Sequence, residues 1–297
     1  MPQQNLVAKD RLTPADFVEV EQLVRLCNAY EGLEIKLNWE MMRTRAGNAP
    51  SDFCFYALGS LVGYAPLDGF SDQHEVTVLV HPEFRCRGIA RSLIGAAVDE
   101  ARRRATRLLL VCERASASGQ AFVAAMGAQR DSSEYHMQLD AAADLPAVSG
   151  EVELRPAEVV DAALLTRLQA LSFGDSEESL GDFVARELAS PHSRAYIATL
   201  AGEPIGRIGV FLGEQDAYIR AFGVLPHYRG RGYGCQILAA MVQAMLAENR
   251  SPITLDVEIE NQHALALYES CGFREQNAYD YFPLDLEPNA PGTKHVQ

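Results

Sequence analysis

The stretch VHPEFRCRGIARSLI, beginning at Val80, returns as VLPHYRGRGYGCQIL, beginning at Val224. Both have Val, then Pro two places on, an aromatic (Phe84, Tyr228), Arg, a second Arg and Gly. Arg85 and Arg229 stand 229 − 85 = 144 residues apart. Within a residue or two, the same offset pairs FCFYALGSLVGYAPL (from Phe53) with AYIATLAGEPIGRIGVFL (from Ala195), and Gly127 with Gly272. A repeat of this length constrains the fold more than any composition does, because it requires one unit to be built twice. The 297 residues are enough for two cores. We therefore expect domains over 1–140 and 151–287, a linker at about 140–150 rich in Ala, Asp, Pro and Gly, and a disordered tail over 288–297 from Pro288 on.

Each copy reads in the same order. In the second, EVELRPA is a strand, VVDAALLTRLQALSF has helical apolar spacing, and two strands flank Gly202. The strand AYIRAFGV ends at Val224, since Pro226 cannot extend a ladder. There follow an amphipathic helix GCQILAAMVQAMLAEN, the strand ITLDVEIE, the short helix HALALYESC closed near Gly272, and a last strand AYDYFPLDL. The first copy runs LVAKD, a helix opened by Thr13-Pro14, two strands around Gly59, EVTVLV, a helix after Gly88, RLLLVC, GQAFVAAM and a strand ending near Leu139.

Net charge is 26 − 40 = −14, which argues against general binding to nucleic acid or anionic membrane and is compatible with cationic amines. The six Cys form neither a C-x-x-C pair nor a zinc pattern and read as inert, mostly buried thiols. With no apolar run of membrane length and no signal-like start, the expected location is cytoplasmic.

In each copy a strand enters a turn of form R-x-x-G-x-(G/A) and a helix leaves it. A helix N-terminus offers unpaired N–H groups and the positive end of its dipole, which suits a phosphate. Small residues at Gly88 and Ala90, or Gly232 and Gly234, let the backbone come close to an oxygen. A P-loop is excluded because the chain has no Gly-Lys pair, and GRGYGC puts Cys235 where a dinucleotide fingerprint needs its third Gly.

The turn with its flanks resembles the acetyl-CoA motif Q/R-x-x-G-x-G/A of the GNAT (GCN5-related N-acetyltransferase) superfamily. The resemblance implies an α/β fold of two tandem GNAT-like domains, each a mixed, mostly antiparallel twisted sheet flanked by helices. It also implies acetyl-CoA as the coenzyme. Arg229, Gly230, Arg231, Gly232, Tyr233 and Gly234 would then hold its pyrophosphate, and backbone near Phe222, Gly223 and Val224 its pantetheine. The first copy would use Val80, Arg85, Cys86, Arg87, Gly88, Ile89 and Ala90.

Acetyl transfer to an amine needs a base for the amine proton, an acid near the leaving sulfur, and no nucleophilic residue of the protein. LDVEIENQHALALYESCGF resembles the family motif E-x-x-x-x-N-x-x-A-x-x-x-Y-x-x-x-G-F, as in N-terminal protein acetyltransferases. It implies Asn261 as a coenzyme-side residue and Tyr268 as the general acid. The base is open among Asp256, Glu258 and Asp216, with Tyr218 at another position where the family carries a base. Alternation puts Asp256 and Glu258 on one face of their strand.

In the first copy Val123 stands for Tyr268, Ser116 for Asn261 and Val111 for the acidic residue. We therefore expect a catalytically degenerate N-terminal domain that either still binds acyl-CoA without chemistry or only supports the other. His74 and Glu75 read as a solvated strand end. The expected function is acetyl-CoA-dependent N-acetylation of a primary amine, on a small molecule or a peptide, by direct attack in the C-terminal domain. Two readings stay open inside the class: mycothiol synthase, whose tandem layout is similar, and a protein N-terminal acetyltransferase. In this family the acceptor pocket is built from the first helices and the loop between them, equivalent here to NAYEGLEIKLNWEMM and to FGDSEESLGDF, which reads as an acidic loop. No metal is implied, and the expected state is a monomer or a homodimer.

Overall fold

A computed structural model describes residues 5–70, 73–105, 107–143, 145 and 150–286. The tail from Pro288 and most of the second half of the expected linker lie outside them. The elements run β1 (Asn5–Lys9), α1 (Pro14–Glu31), α2 (Trp39–Thr44), β2 (Asp52–Ala57), β3 (Ser60–Phe70), β4 (Gln73–Thr77), β5 (Leu79–Val80), α3 (Ile89–Ala101), β6 (Arg107–Glu113), α4 (Ala117–Met126) and β7 (Ser132–Leu139). The second series is β8 (Val152–Pro156), α5 (Ala162–Phe173), α6 (Glu177–Ala189), β9 (Ser193–Leu200), β10 (Glu203–Leu212), β11 (Ala217–Val224), α7 (Tyr233–Ala247), β12 (Ile253–Glu258), α8 (Gln262–Ser270) and β13 (Phe273–Leu284).

Two compact units result, but they do not follow the halves of the sequence. One is Met1–Ser133 with Tyr279–Gln297, and the other is Glu134–Ala278. The expected spans 1–140 and 151–287 each keep their own last strand, whereas the structure exchanges them. In the first unit β6 pairs antiparallel with Tyr279–Leu284 of β13. In the second, β12 pairs antiparallel with Glu134–Gln138 of β7. The physical reason is that the two last strands have the same period and neighbours, so alternation within either half cannot say which β6-like edge each will cover.

In the first unit the sheet order is β1-β2-β3-β4-β6-β13, with β5 on β3. Only the β4–β6 pairing is parallel. Thr13 caps α1 with Asp16 in a reciprocal capping box. The core lies between the sheet and α3, which presents Ile89, Leu93, Ile94, Ala97 and Ala101. His74, expected at a solvated end, is buried at 7% exposure and packs on Gly69.

The second unit repeats the plan in the order β8-β9-β10-β11-β12-β7, with β11–β12 parallel. Ile237, Leu238, Met241, Val242 and Met245 form the buried stripe of α7 and pack with Ile219, Leu255 and Val257 of the sheet. On the opposite face, fully buried Arg207 of β10 pairs with Glu187 of α6 and donates to Gln169 Oε1 of α5 at 2.9 Å. A charge this deep is tolerated only because it is paired and hydrogen-bonded, and it fastens both helices to the sheet. The acidic FGDSEESLGDF stretch, expected as a loop, instead opens α6. Ser176 accepts from Ser179 N, and Glu177 and Glu178 occupy the first turn, where they complement the helix dipole.

Candidate active site

The β11–β12 ladder has three parallel rungs, Ala217–Ile219 against Ile253–Leu255. Beyond them β11 continues to Val224 along β10, and β12 continues to Glu258 along β7, which it pairs from Thr254 on. Among the described residues the β11–β12 ladder ends at Ile219 and Leu255, and the strands splay beyond it. At the same point the β10–β11 register slips between Arg207 and Gly209, and Ala221 takes a left-handed φ of 47°. This bulge reverses the alternation. Ile219 and Phe222 both join the α7-side core, and Gly223 turns toward Ser172 on α5. A left-handed Ala costs about 1–2 kcal/mol, a strain of the kind found where a backbone is aimed at a ligand.

At the end of β11, Pro226–Tyr228 form a short 3-10 turn and Arg229 is extended. Gly230 and Gly232 are left-handed, with φ 71° and 82°. Such alternation turns N–H groups to one side as a nest for an anion. Gly232 caps α7 without a side-chain acceptor, whereas Asn261, Ser176 and Thr13 cap α8, α6 and α1. A Cβ on Gly230 or Gly232 would meet nothing within 4 Å, so the space before these amides is open. The residues therefore fit a pyrophosphate. The first copy takes the same path with Cys86 at φ 59° and Gly88 at 81°. Contrary to the expectation for most thiols, Cys86 is exposed.

The two arginines of the turn divide their work. Arg229, expected on pyrophosphate, donates from Nε to Val224 O at 2.8 Å and from Nη2 to Ser172 O at 2.5 Å. It ties the strand end to α5. Arg85 likewise donates from Nε to Val80 O at 3.2 Å. Arg231 is exposed on the turn, as is Arg87, which stacks over Phe84.

Tyr268 lies on α8 at 8% exposure, its ring 6.3 Å from Phe222 and 6.2 Å from Phe273. A Cβ on Gly234 would come within 3.3 Å of Leu267 and 3.9 Å of Phe222. The start of α7, the splayed strand and α8 thus converge around Tyr268. Burial, with Cys271 adding to it, pushes its phenol up to about 12. It is therefore protonated throughout the neutral range. Asn261 accepts from Ala264 N at 3.1 Å and so caps α8. Ser116 does the same for α4, accepting from Gly119 N at 3.0 Å. The aligned pair shares a structural task whatever else Asn261 touches.

The base candidates separate by position. Asp216 lies in the β10–β11 turn beside Gly213, at the closed end of the parallel ladder. Glu258 is the exposed last residue of β12. Asp256 is the first β12 residue beyond the last parallel rung, at the apex of the split and on the face away from Leu255 and Val257. Its Oδ1 lies 2.6 Å from His136 Nδ1, and Tyr218 donates to its Oδ2 at 3.2 Å. Local pattern does not link His136 to Asp256, because its strand, ending at Leu139, lies in the expected first domain. A His alternating with core residues Tyr135 and Met137 was the available signal.

At the corresponding place in the first unit, Asp280 of β13 faces Cys112 of β6. Arg114 and Ser133 hydrogen-bond Asp280 and hold its carboxyl down against the opposing effect of burial. Val123 is buried where the second unit has Tyr268. Glu31 pairs with Arg85 of the turn and accepts from Ser116 Oγ at 3.1 Å and Ser118 Oγ at 2.6 Å at the start of α4. A carboxylate thus spans the turn and α4. Among the described residues no group of three or more His, Cys, Asp or Glu is placed to hold a metal, and no helix is long and apolar enough to cross a membrane.

A split parallel ladder beside a glycine-lined helix start without a side-chain cap suits an extended ligand that carries a pyrophosphate. The sequence pattern of the Acetyltransferase (GNAT) family matches residues 19–128 and again 163–273. The chain belongs to that family and carries its domain twice; its coenzyme is acetyl-CoA. A mycothiol acetyltransferase of Kineococcus radiotolerans is 30% identical over 251 residues, 78% of this chain and 81% of that protein. The N-alpha-acetyltransferase RimI of Mycobacterium tuberculosis is 36% identical over 93 residues, 30% of this chain and 57% of that protein. In fold, the chain resembles a GCN5-related N-acetyltransferase from Sphaerobacter thermophilus with a TM-score of 0.77 at 19% identity, covering 96% of this chain and 97% of that one.

Proposed function

We propose that the second unit acetylates a primary amine and that the first unit performs no transfer. Acetyl-CoA supplies the acetyl group as an activated thioester. What carries the reading is the split at Ile219/Leu255, with Tyr268 on the α7–α8 side and Asp256 on the other. The amides of Gly230–Gly234 would hold the pyrophosphate and the backbone of Phe222–Val224 the pantetheine. The Tyr268 phenol would donate to the sulfur as negative charge develops there. Asp256 would serve the acceptor side in preference to Glu258 or Asp216. The acceptor is a neutral amine on a small molecule or on a peptide N-terminus. The 78% span shared with a mycothiol acetyltransferase favours the small molecule.

In the first unit the turn has the geometry for an anion, but Glu31 puts negative charge between it and α4. We expect titration calorimetry to give one acetyl-CoA per chain. Two equivalents of similar affinity would mean that Glu31 does not keep the coenzyme from the first turn, and would overturn the non-binding part of this reading. Transfer itself is tested by thiol release with a panel of small amines and peptides; release with none of them would sink the proposal.

Gly232→Ala is expected to weaken acetyl-CoA binding about tenfold, because a Cβ at φ 82° costs roughly 1–2 kcal/mol and shifts the start of α7. Gly88→Ala, at the same backbone angle in the first unit, should leave coenzyme affinity unchanged. Calorimetry on both variants checks the pair.

A further inference from the structure

Asp256, proposed above on the acceptor side, does not face that side alone. It is paired in register with His136 across the β12–β7 ladder, at side-chain exposures of 9% and 14%. Alternation puts Tyr135 and Met137 into the α7-side core and leaves His136 on the opposite face with Asp256. A carboxylate can only accept, so Nδ1 carries the hydrogen of the 2.6 Å contact. That choice makes Nε2 the basic nitrogen of a neutral ring, the arrangement by which a carboxylate orients an imidazole as a general base. Tyr218 donates to the other carboxylate oxygen and keeps its plane fixed. The charged or titratable groups on this face include Glu134 on β7, Glu258 on β12, Arg220 on β11, Arg207 on β10 and Glu187 on α6. Arg220 is directed to Ser193 Oγ at 2.8 Å and toward Glu187 at 3.7 Å.

We infer that His136 is the proton acceptor of the transfer reaction, with Asp256 as its positioning residue; this rests on the function proposed for the second unit. As the neutral amine nitrogen bonds to the acetyl carbon, the carbon–sulfur bond breaks and its electron pair leaves on sulfur, toward which Tyr268 directs its phenol proton. The proton released by the amine passes to His136 Nε2. His136 then gives its proton to solvent and the leaving thiolate takes one from solvent, while Tyr268 keeps its own, so the net change is amine plus thioester to amide plus thiol. The base of the second unit thus comes from the sequence of the first repeat.

The test uses the full chain. For His136→Gln we expect kcat to fall about 10²–10³-fold, in the range of a lost general base, with the acetyl-CoA Kd changed less than twofold by calorimetry. The acid limb of kcat/KM should disappear with it. His136→Ala should regain activity in added imidazole while Asp256→Ala does not. Independently of turnover, the downfield Nδ1–H resonance of His136 should be present in the parent protein and lost in Asp256→Asn. A His136→Gln enzyme that keeps the parent rate and pH profile would overturn the inference. So would the absence of an Nδ1–H resonance. A parent protein that binds acetyl-CoA but acetylates no amine would instead overturn the function on which it rests.

Discussion

Tyr268→Phe is expected to lower kcat by about 10²–10³-fold and to leave the Kd for acetyl-CoA nearly unchanged. The substitution removes one oxygen and keeps the ring that packs on Phe222 and Phe273. With its phenol up at about 12, Tyr268 enters every turnover protonated. A free thiol titrates near about 8.5, so complete transfer from Tyr268 to a leaving thiolate would run uphill by roughly 5 kcal/mol. In the proposed mechanism the group would therefore act by donating a hydrogen bond while charge grows on sulfur. Two consequences can be read from pre-steady-state and steady-state rates. The loss should fall on the chemical step, and the parent enzyme should show no alkaline limb from this Tyr below about pH 11. A Phe variant at the parent rate would remove Tyr268 from the mechanism.

Cutting the gene at the linker should abolish activity, while cutting the folded protein there should not. A fragment of 151–297 lacks β7, and with it the pairing partner of Thr254–Glu258. It also lacks Met137, which is 1% exposed in the core of the second unit. Loss of one such side chain costs about 2–5 kcal/mol, a large share of the 5–15 kcal/mol typical of a domain. The bare β12 edge would add a tendency to associate. Its partner fragment would lose Tyr279–Leu284 from β6. By contrast, a protease site placed at residues 144–149, cleaved after folding, leaves both exchanged strands in place. Turnover and circular dichroism on the two preparations make the comparison. An active, folded 151–297 fragment would mean that the exchange is dispensable.

Much of this was legible beforehand. The repeated turn, the strands around Gly59 and Gly202, and Tyr268 in its spacing to Gly272 all follow from local pattern, because they are set by turns, caps and period. The functions of individual side chains were less legible. Arg229 looked like a phosphate ligand, since a sequence shows a charge but not the carbonyls of Val224 and Ser172 that engage it. The acidic residues before Phe183 looked like a pocket loop, since the cap at Ser176 that makes them a helix start is a matter of hydrogen bonding. Glu31 gave no signal at all, because its partners Arg85 and Ser118 are 54 and 87 residues away.

The sequence by itself determined that one unit is built twice, that each copy carries the same arginine- and glycine-containing turn at a helix start, and that only the second has a Tyr four residues before its closing Gly. Those features depend on neighbours along the chain. Only the tertiary structure decided which last strand completes which sheet, and therefore that Asp256 meets His136. A strand edge accepts any partner of matching period, so the choice between two similar edges is made by packing across more than a hundred residues and leaves no local mark.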